Sequence, residues 1–336
     1  MELISKQTAI AAGSRLPPSV IHRLRCFVCC SKLRLDRDRY CCQAAACRRE
    51  FPLKNGVPIL IDTRLSVFEE CGPQESSRQE SAHPPNGPMA TAKRLAAALL
   101  PSLGRNIGAK QAYAKFAEML LAISTKPKVL VVGGATIGAG LDTILEQESI
   151  EFIESDVYLS PRTALMCDAH QIPFEGDTFD GVIVQAVLEH VADPAACVEE
   201  IHRVLKPRGL VYSDTPFMQQ VHAAGHDFSR FTHVGHRRLF RKFEEVASGV
   251  TCEPGMALAW AYQYFLLSFV QSKAARAMAV AFARLTGFWL KYLDYYLIRK
   301  PEALDAASAY YFLGMKSRLS MSDREIIFQY RGIQRS

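Results

Sequence analysis

Three groups of residues in this chain have types and spacing that can do chemistry. The run 215-TPFMQQVHAAGHDFSRFTHVGHRRLF-240 holds His222, His226, Asp227, Arg230, His233 and His236 within 15 residues. Histidine titrates near neutrality, so one of these can deprotonate an attacking hydroxyl or amine. Arg230 or Arg237 can clamp an acidic substrate group. If the run is helical, His222 and His226 share a face and can hold a metal. The plainer alternative is a polar loop whose histidines bond the backbone. A substrate-facing loop is the preferred reading, with His222, His226, Asp227, Arg230 and His233 as candidate catalytic residues. The second group is Cys26, Cys29, Cys42 and Cys47, spaced C-x2-C-x12-C-x4-C. Two such knuckles can surround a tetrahedral zinc, which would stabilise about 40 residues too few for a core of their own. Cys30 and Cys41 offer alternative ligands, and buried or oxidisable thiols are the alternative to a metal. The third group is 129-VLVVGGATIGAG-140, where four β-formers run into a glycine-rich turn. A parallel strand hands over in this way to a helix that cradles a nucleotide.

These groups need elements to hold them. From about residue 100 onward apolar strands alternate with amphipathic helices, the pattern of a doubly wound parallel α/β sheet. Strands are expected at 129–132, 151–155, 164–167, 181–185 and 210–213. A helix begins after Asp193 as N-cap, with Pro194 in its first position. Its residues Cys197, Val198, Ile201, Val204 and Leu205 share one face, and Pro207 and Gly209 end it. Residues 240–252 suggest a further helix and a sixth strand. Two apolar helical segments follow at about 257–272 and 274–299, and 309–317 returns as a late strand. Such sheets bind ligands at the carboxyl ends of their strands. Gly133 follows the first strand, Asp156 ends the second 23 residues later, and Asp168-Ala169 ends the third. Taken singly, Asp156 reads as a helix cap and Asp168 as the close of a turn. Their order at successive strand ends favours ligand contact instead. An acid after the second strand suits a nicotinamide dinucleotide and S-adenosylmethionine equally well.

The stretch 179-FDGVIVQAVLEHVADPAACVEEIHRVLKPRGLVYSDTP-216 resembles the later motifs of class I S-adenosylmethionine-dependent methyltransferases of the type 11-like group. The stretch 168-DAHQIPFEGDTFD-180 resembles that group's "D-A--LPF-D-SFD". The resemblance implies a seven-stranded Rossmann-like sheet whose last strand, at 309–317, runs antiparallel. It assigns Gly133, Gly134 and Gly138 to the methionine and ribose end of S-adenosylmethionine, and Asp156 to the ribose hydroxyls. Asp168 would meet the adenine amino group with the Ala169 backbone beside it, and Gln185 would line the pocket near the sulfonium. His190 in LEHV reads as a packed or capping histidine. The run at 215–240 is also similar to one in bacterial methyltransferases of this type. Two positions depart from the pattern: Val131 stands where an acid is common, and Ala135 replaces the turn's second glycine. They leave a catalytically silent binding module as the alternative, and an NAD(P)-dependent oxidoreductase as a third. The stretch 50-EFPLKNGVPILID-62 resembles the tail of a zinc-ribbon domain related to the activator subunit of transfer-RNA methyltransferases.

Composition bounds the rest. The 336 residues are 49% hydrophobic and 22% charged, as in ordinary globular proteins, and the net charge of +6 is spread without a nucleic-acid-binding patch. No signal peptide is read, so the ten cysteines are expected in a reducing, cytoplasmic setting, with Cys71, Cys167, Cys197 and Cys252 as core or linker residues. The expected organisation is a zinc ribbon at 22–62, a linker at 63–99 clearest over 72–91, and a methyltransferase domain at 100–336 with a helical insert at 257–300. That insert mixes aromatic and basic residues. It is expected as a lid on the sheet, with peripheral contact to the inner face of a membrane as the sharper reading. The expected acceptor is a small molecule, a glycan or a lipid-linked intermediate.

Overall fold

The computed structural model describes residues 14–333 apart from 63, 65, 69–99 and 105, so Cys71 and the stretch 72–91 lie outside the described residues. Among the described residues eleven strands form one sheet: β1 (Leu33–Asp36), β2 (Arg39–Cys42), β3 (Glu50–Lys54), β4 (Val57–Leu60), β5 (Lys128–Val132), β6 (Glu151–Asp156), β7 (Leu165–Cys167), β8 (Phe179–Gln185), β9 (Leu205–Pro216), β10 (Phe243–Cys252) and β11 (Ala309–Lys316). Their spatial order is β1-β2-β3-β4-β7-β6-β5-β8-β9-β11-β10. The helices are α1 (Pro18–Ile21), α2 (Ile107–Ile123), α3 (Asp142–Leu145), α4 (Pro194–Val204), α5 (His233–Leu239), α6 (Pro254–Leu267), α7 (Lys273–Gly287), α8 (Leu290–Leu297), α9 (Ala303–Ala306) and α10 (Asp323–Phe328).

Strands β7, β6, β5, β8 and β9 are parallel neighbours, and β11 runs antiparallel to both β9 and β10. Burial explains the composition of the centre. Every residue of β8 from Phe179 to Val184 is buried, as expected for a strand covered on both faces. Helix α4 starts where its signals stand: the Asp193 carboxylate accepts from the Ala196 N–H at 3.0 Å, and Cys197, Val198, Ile201 and Val204 turn inward. One face of the sheet shares a core with the N-terminal segment through Leu16, Val20, Leu24 and Leu60. On the other face, Tyr113, Phe116 and Leu120 of α2 pack on Val129, Val131 and Ile183.

The expected seven strands become eleven because the N-terminal unit joins the sheet. Its last strand β4 pairs in parallel with β7, Ile59 opposite Met166 and Leu60 opposite Cys167. This covers the edge that β7 would otherwise expose to water. Arg23 adds an ion pair to Glu175 at 2.9 Å across the same junction. The second expected helical segment, 274–299, is broken between Gly287 and Leu290 into α7 and α8. Among the described residues no helix is long and apolar enough to cross a membrane.

Candidate functional site

The glycine turn is built by contact, not by flexibility alone. Gly133 has φ +76°, and a Cβ there would lie 2.3 Å from Val187 Cγ2, so only glycine fits. At Gly138 a Cβ would meet the Gln185 amide at 2.1 Å. Gln185 is fixed from two sides: Tyr113 of α2 donates its hydroxyl to Oε1 at 2.9 Å, and Nε2 donates to the Ala139 carbonyl at 3.1 Å. Val131 is buried in the core beneath α2.

Asp156 stands at the end of β6 and reaches across to the turn. One carboxylate oxygen accepts from the Ala135 N–H at 2.9 Å and the other from the Tyr158 N–H at 3.0 Å. Burial raises its pKa and these backbone donors lower it, with burial prevailing. No helix follows Asp156 directly, so its capping reading becomes one of tying the glycine turn to β6. Asp168, buried at the end of β7, accepts from the His170 N–H at 3.0 Å and pairs with His170 Nδ1 at 2.6 Å. Its other oxygen accepts from the Ser66 hydroxyl. Burial works against the charged form, but these donors hold its pKa below the usual carboxylate value. Ala169 is buried beside it. Gly133, Asp156, Asp168 and Gln185 therefore end four neighbouring parallel strands on one edge. The short segment after β4 reaches this edge, where Phe68 stacks on His226 with ring centroids 5.5 Å apart.

The histidine-rich run separates into two groups. The stretch 217–232 is not an α-helix; it contains one 3-10 turn at Ala224–His226, so His222 and His226 share no helical face. His222 instead meets His190, with Nε2 atoms 3.1 Å apart. The His190 ring packs edge-on against His222, with centroids 4.8 Å apart. Its Nδ1 bonds the His226 carbonyl at 2.9 Å, and burial lowers its pKa. Arg230 is held inside the loop by Asp227, at 2.6 Å, and by the Gln219 carbonyl. Asp227 lies at about 2, because burial is outweighed by Arg230 and the His222 N–H. His233 is turned away from this group: it opens α5, is buried, and pairs with Ser248 Oγ at 3.1 Å. Arg237 is likewise buried and spent on the Phe240 carbonyl at 2.8 Å and Glu245 at 3.0 Å, so it cannot clamp a substrate.

Two buried acids at this edge escape a reading by residue type. Glu189 is 0% exposed, and burial pushes its pKa up to about 8. Asp214, opposite Gln185 near the end of β9, is pushed by burial to about 7. An acid embedded in the apolar LEHV run, straight after a buried strand, was the available signal for Glu189.

In the N-terminal unit the sulfurs of Cys26, Cys29, Cys42 and Cys47 lie within 4.8 Å of one another, with Cys26–Cys47 at 3.8 Å and Cys29–Cys42 at 3.4 Å. Four thiolates about 2.3 Å from one zinc would stand about 3.8 Å apart, so the set fits that ion. Cys30 and Cys41 are outside the cluster. Cys167 and Cys197 are buried, and Cys252 bonds Asn106.

Residues 144–213 match the family model described as a methyltransferase domain. Over 111 residues the chain is 29% identical to an uncharacterized methyltransferase of Schizosaccharomyces pombe, a match that covers 30% of this chain and 40% of that protein. Among solved structures, the [4+2]-cyclase SpnF aligns at 15% identity over 62% of this chain and 82% of its own, with a TM-score of 0.37. Phosphoethanolamine N-methyltransferase 2 of Haemonchus contortus aligns at 15% identity over 61% and 53%, with a TM-score of 0.39. Residues 144–213 of the chain are thus similar to a methyltransferase domain, and they lie within a Rossmann-like α/β sheet.

Proposed function

We propose that this protein is an S-adenosylmethionine-dependent methyltransferase of a small-molecule, glycan or lipid-linked acceptor. One observation carries the reading: a glycine turn, two acids and an amide end four adjacent parallel strands of a methyltransferase domain. The cofactor, when bound, supplies a methyl group already activated on a sulfonium. The chain's own task is then alignment and exclusion of water. Asp156 uses one backbone donor per carboxylate oxygen and keeps lone pairs for two ribose hydroxyls. Asp168 keeps a lone pair beside Ser66 for the adenine amino group, next to the Ala169 backbone. Gly133, Gly134 and Gly138 would border the methionine and ribose end, and Gln185, anchored by Tyr113, the sulfonium. Calorimetric titration with S-adenosylhomocysteine should show saturable binding, weakened about 10- to 100-fold in Asp156→Ala by the loss of charge-assisted hydrogen bonds. An NADH titration alongside should show none. Binding of NADH alone would favour the oxidoreductase, and silence in both a binding module.

The four clustered cysteines are proposed as a structural zinc site, supported by the fit of their spacing to tetrahedral thiolates. After dialysis against a weak chelator, metal analysis should find one zinc per chain, absent from Cys26→Ser/Cys29→Ser. Zinc-free wild-type protein would contradict the proposal. The helical insert is proposed to rest on the anionic inner face of a membrane, from which a lipid-linked acceptor would be reached. This is supported by its large outward side chains and by the exposed Lys273, Arg276, Arg299 and Lys300.

A further inference from the structure

Glu189, His190 and His222 make a constellation that cofactor binding does not use. The Glu189 side chain is 0% exposed, yet neither carboxylate oxygen has a hydrogen-bond partner from another described residue. Burying a carboxylate without partners is costly, so such a group stays protonated until a cation comes to face it. Its Oε1 lies 3.6 Å from His190 Nε2 and 3.9 Å from His222 Nε2. The His190 ring is oriented from behind: a backbone carbonyl can only accept, so Nδ1 carries the proton toward His226 and Nε2 presents a lone pair. His222 Nδ1 has two acceptors, the Gln220 carbonyl at 3.3 Å and the Asp227 carboxylate at 3.6 Å, against one donor, Arg230 Nη2 at 3.5 Å; the nearer carbonyl favours the same tautomer. Two lone pairs then face each other across 3.1 Å, beside an unpaired carboxylate.

We propose that Glu189, His190 and His222 bind one divalent first-row transition-metal cation. Two imidazoles and a carboxylate are a donor set of that class, and the carbonyl and carboxylate behind the rings are the outer partners that such ligands use. Atoms about 2.1 Å from one cation stand about 3.0–3.4 Å apart, and the three observed separations need only small side-chain rotations to reach that range. The loops holding the ligands are fixed to each other, since the Phe228 N–H donates to the Glu189 carbonyl at 2.8 Å. Three protein ligands leave coordination positions for an oxygen or nitrogen of a small ligand. Val187, two residues before Glu189, packs on Gly133, so the cation would stand next to the glycine turn. A hydroxyl bound to it would release its proton to water near neutral pH, and the resulting oxyanion would bond to the methyl carbon as that carbon's bond to the sulfonium sulfur breaks. That use rests on the methyltransferase reading; the metal site does not.

The test uses the full-length protein, dialysed against a weak chelator and then metal-free buffer. It is titrated with Mn2+, free ion being read by electron paramagnetic resonance, and with Co2+ by its visible spectrum. Mn2+ is a poor ion for four thiolates, which separates this site from the cysteine cluster. Wild type should take up one Mn2+ per chain, and Glu189→Gln and His222→Ala should bind at least 10-fold more weakly. A thermal melt should rise with Mn2+ in wild type and not in either variant, which separates lost binding from lost folding. Wild-type protein that binds neither ion at a nitrogen and oxygen site would overturn the proposal. So would variants that bind as wild type does.

Discussion

His236 is enclosed between Ser213, whose hydroxyl lies 2.9 Å from Nε2, and the rings of Phe240 and Phe312. Burial, and then the charges of His233 and Arg237, hold it neutral with a pKa of about 3. His233 is lowered to about 4, by burial first and by Arg331 and Arg237 against the opposing Glu245 and Asp305. Both titrate near 6.5 when unfolded. The unfolded chain therefore takes up protons first as pH falls. Their contribution is complete above pH 6.5 and is lost as pH drops toward 4, on the order of 2–4 kcal/mol by pH 5. Buried acids such as Asp214 act in the opposite sense, so the comparison is made between wild type and His236→Gln. Denaturant melts from pH 7 to 5 should show a steeper loss in wild type; equal slopes would contradict a neutral buried imidazole. In sequence His222, His233 and His236 look alike. What separates them is helix α5, which turns the last two into the sheet, and residue type does not encode that turn.

The helical insert inverts the usual arrangement of an amphipathic element. Helix α6 buries Gly255, Ala257 and Ala259 while Phe265 is 60% exposed, and Phe269 just beyond it is 72% exposed. Helix α7 buries Ala283 and Gly287 and leaves Met278, Phe282 and Leu285 outside. The small side chains allow close approach: a Cβ at Gly255 would lie 2.4 Å from the Leu290 carbonyl. Buried Asp294 of α8 accepts from the Met256 N–H at 3.0 Å at the start of α6. Exposed large apolar groups on an insert that also exposes Lys273, Arg276, Arg299 and Lys300 suit an anionic bilayer. Co-sedimentation should show binding to phosphatidylserine-containing vesicles, weakened several-fold in Phe265→Ser/Phe269→Ser and by high salt. No binding of wild type at low salt would contradict it. At this scale much was legible: expected and observed strands agree within one or two residues for β5 to β8, because apolar runs and turn residues are local signals. The break near Phe288 was not, since the single Gly287 before it sits in an otherwise continuous apolar helical run.

Across the whole molecule, the feature least legible in sequence is the junction of β4 with β7. It joins residues far apart in the chain, and nothing local at Ile59 names Met166 as its partner. The junction also brings Ser66 and Phe68 to the edge where Asp156, Asp168 and the glycine turn meet. The order of those groups along the chain was readable because a parallel sheet sets them at successive strand ends. Their hydrogen bonds were not, because orientation depends on packing. The central claim, that this edge takes S-adenosylmethionine, is tested most directly by hydrogen exchange with and without S-adenosylhomocysteine. The account predicts slower exchange in segments containing Gly133–Gly138, Tyr158 and Ala169, and no comparable protection by NADH. Protection confined to other parts of the chain, or none at saturating ligand, would contradict it.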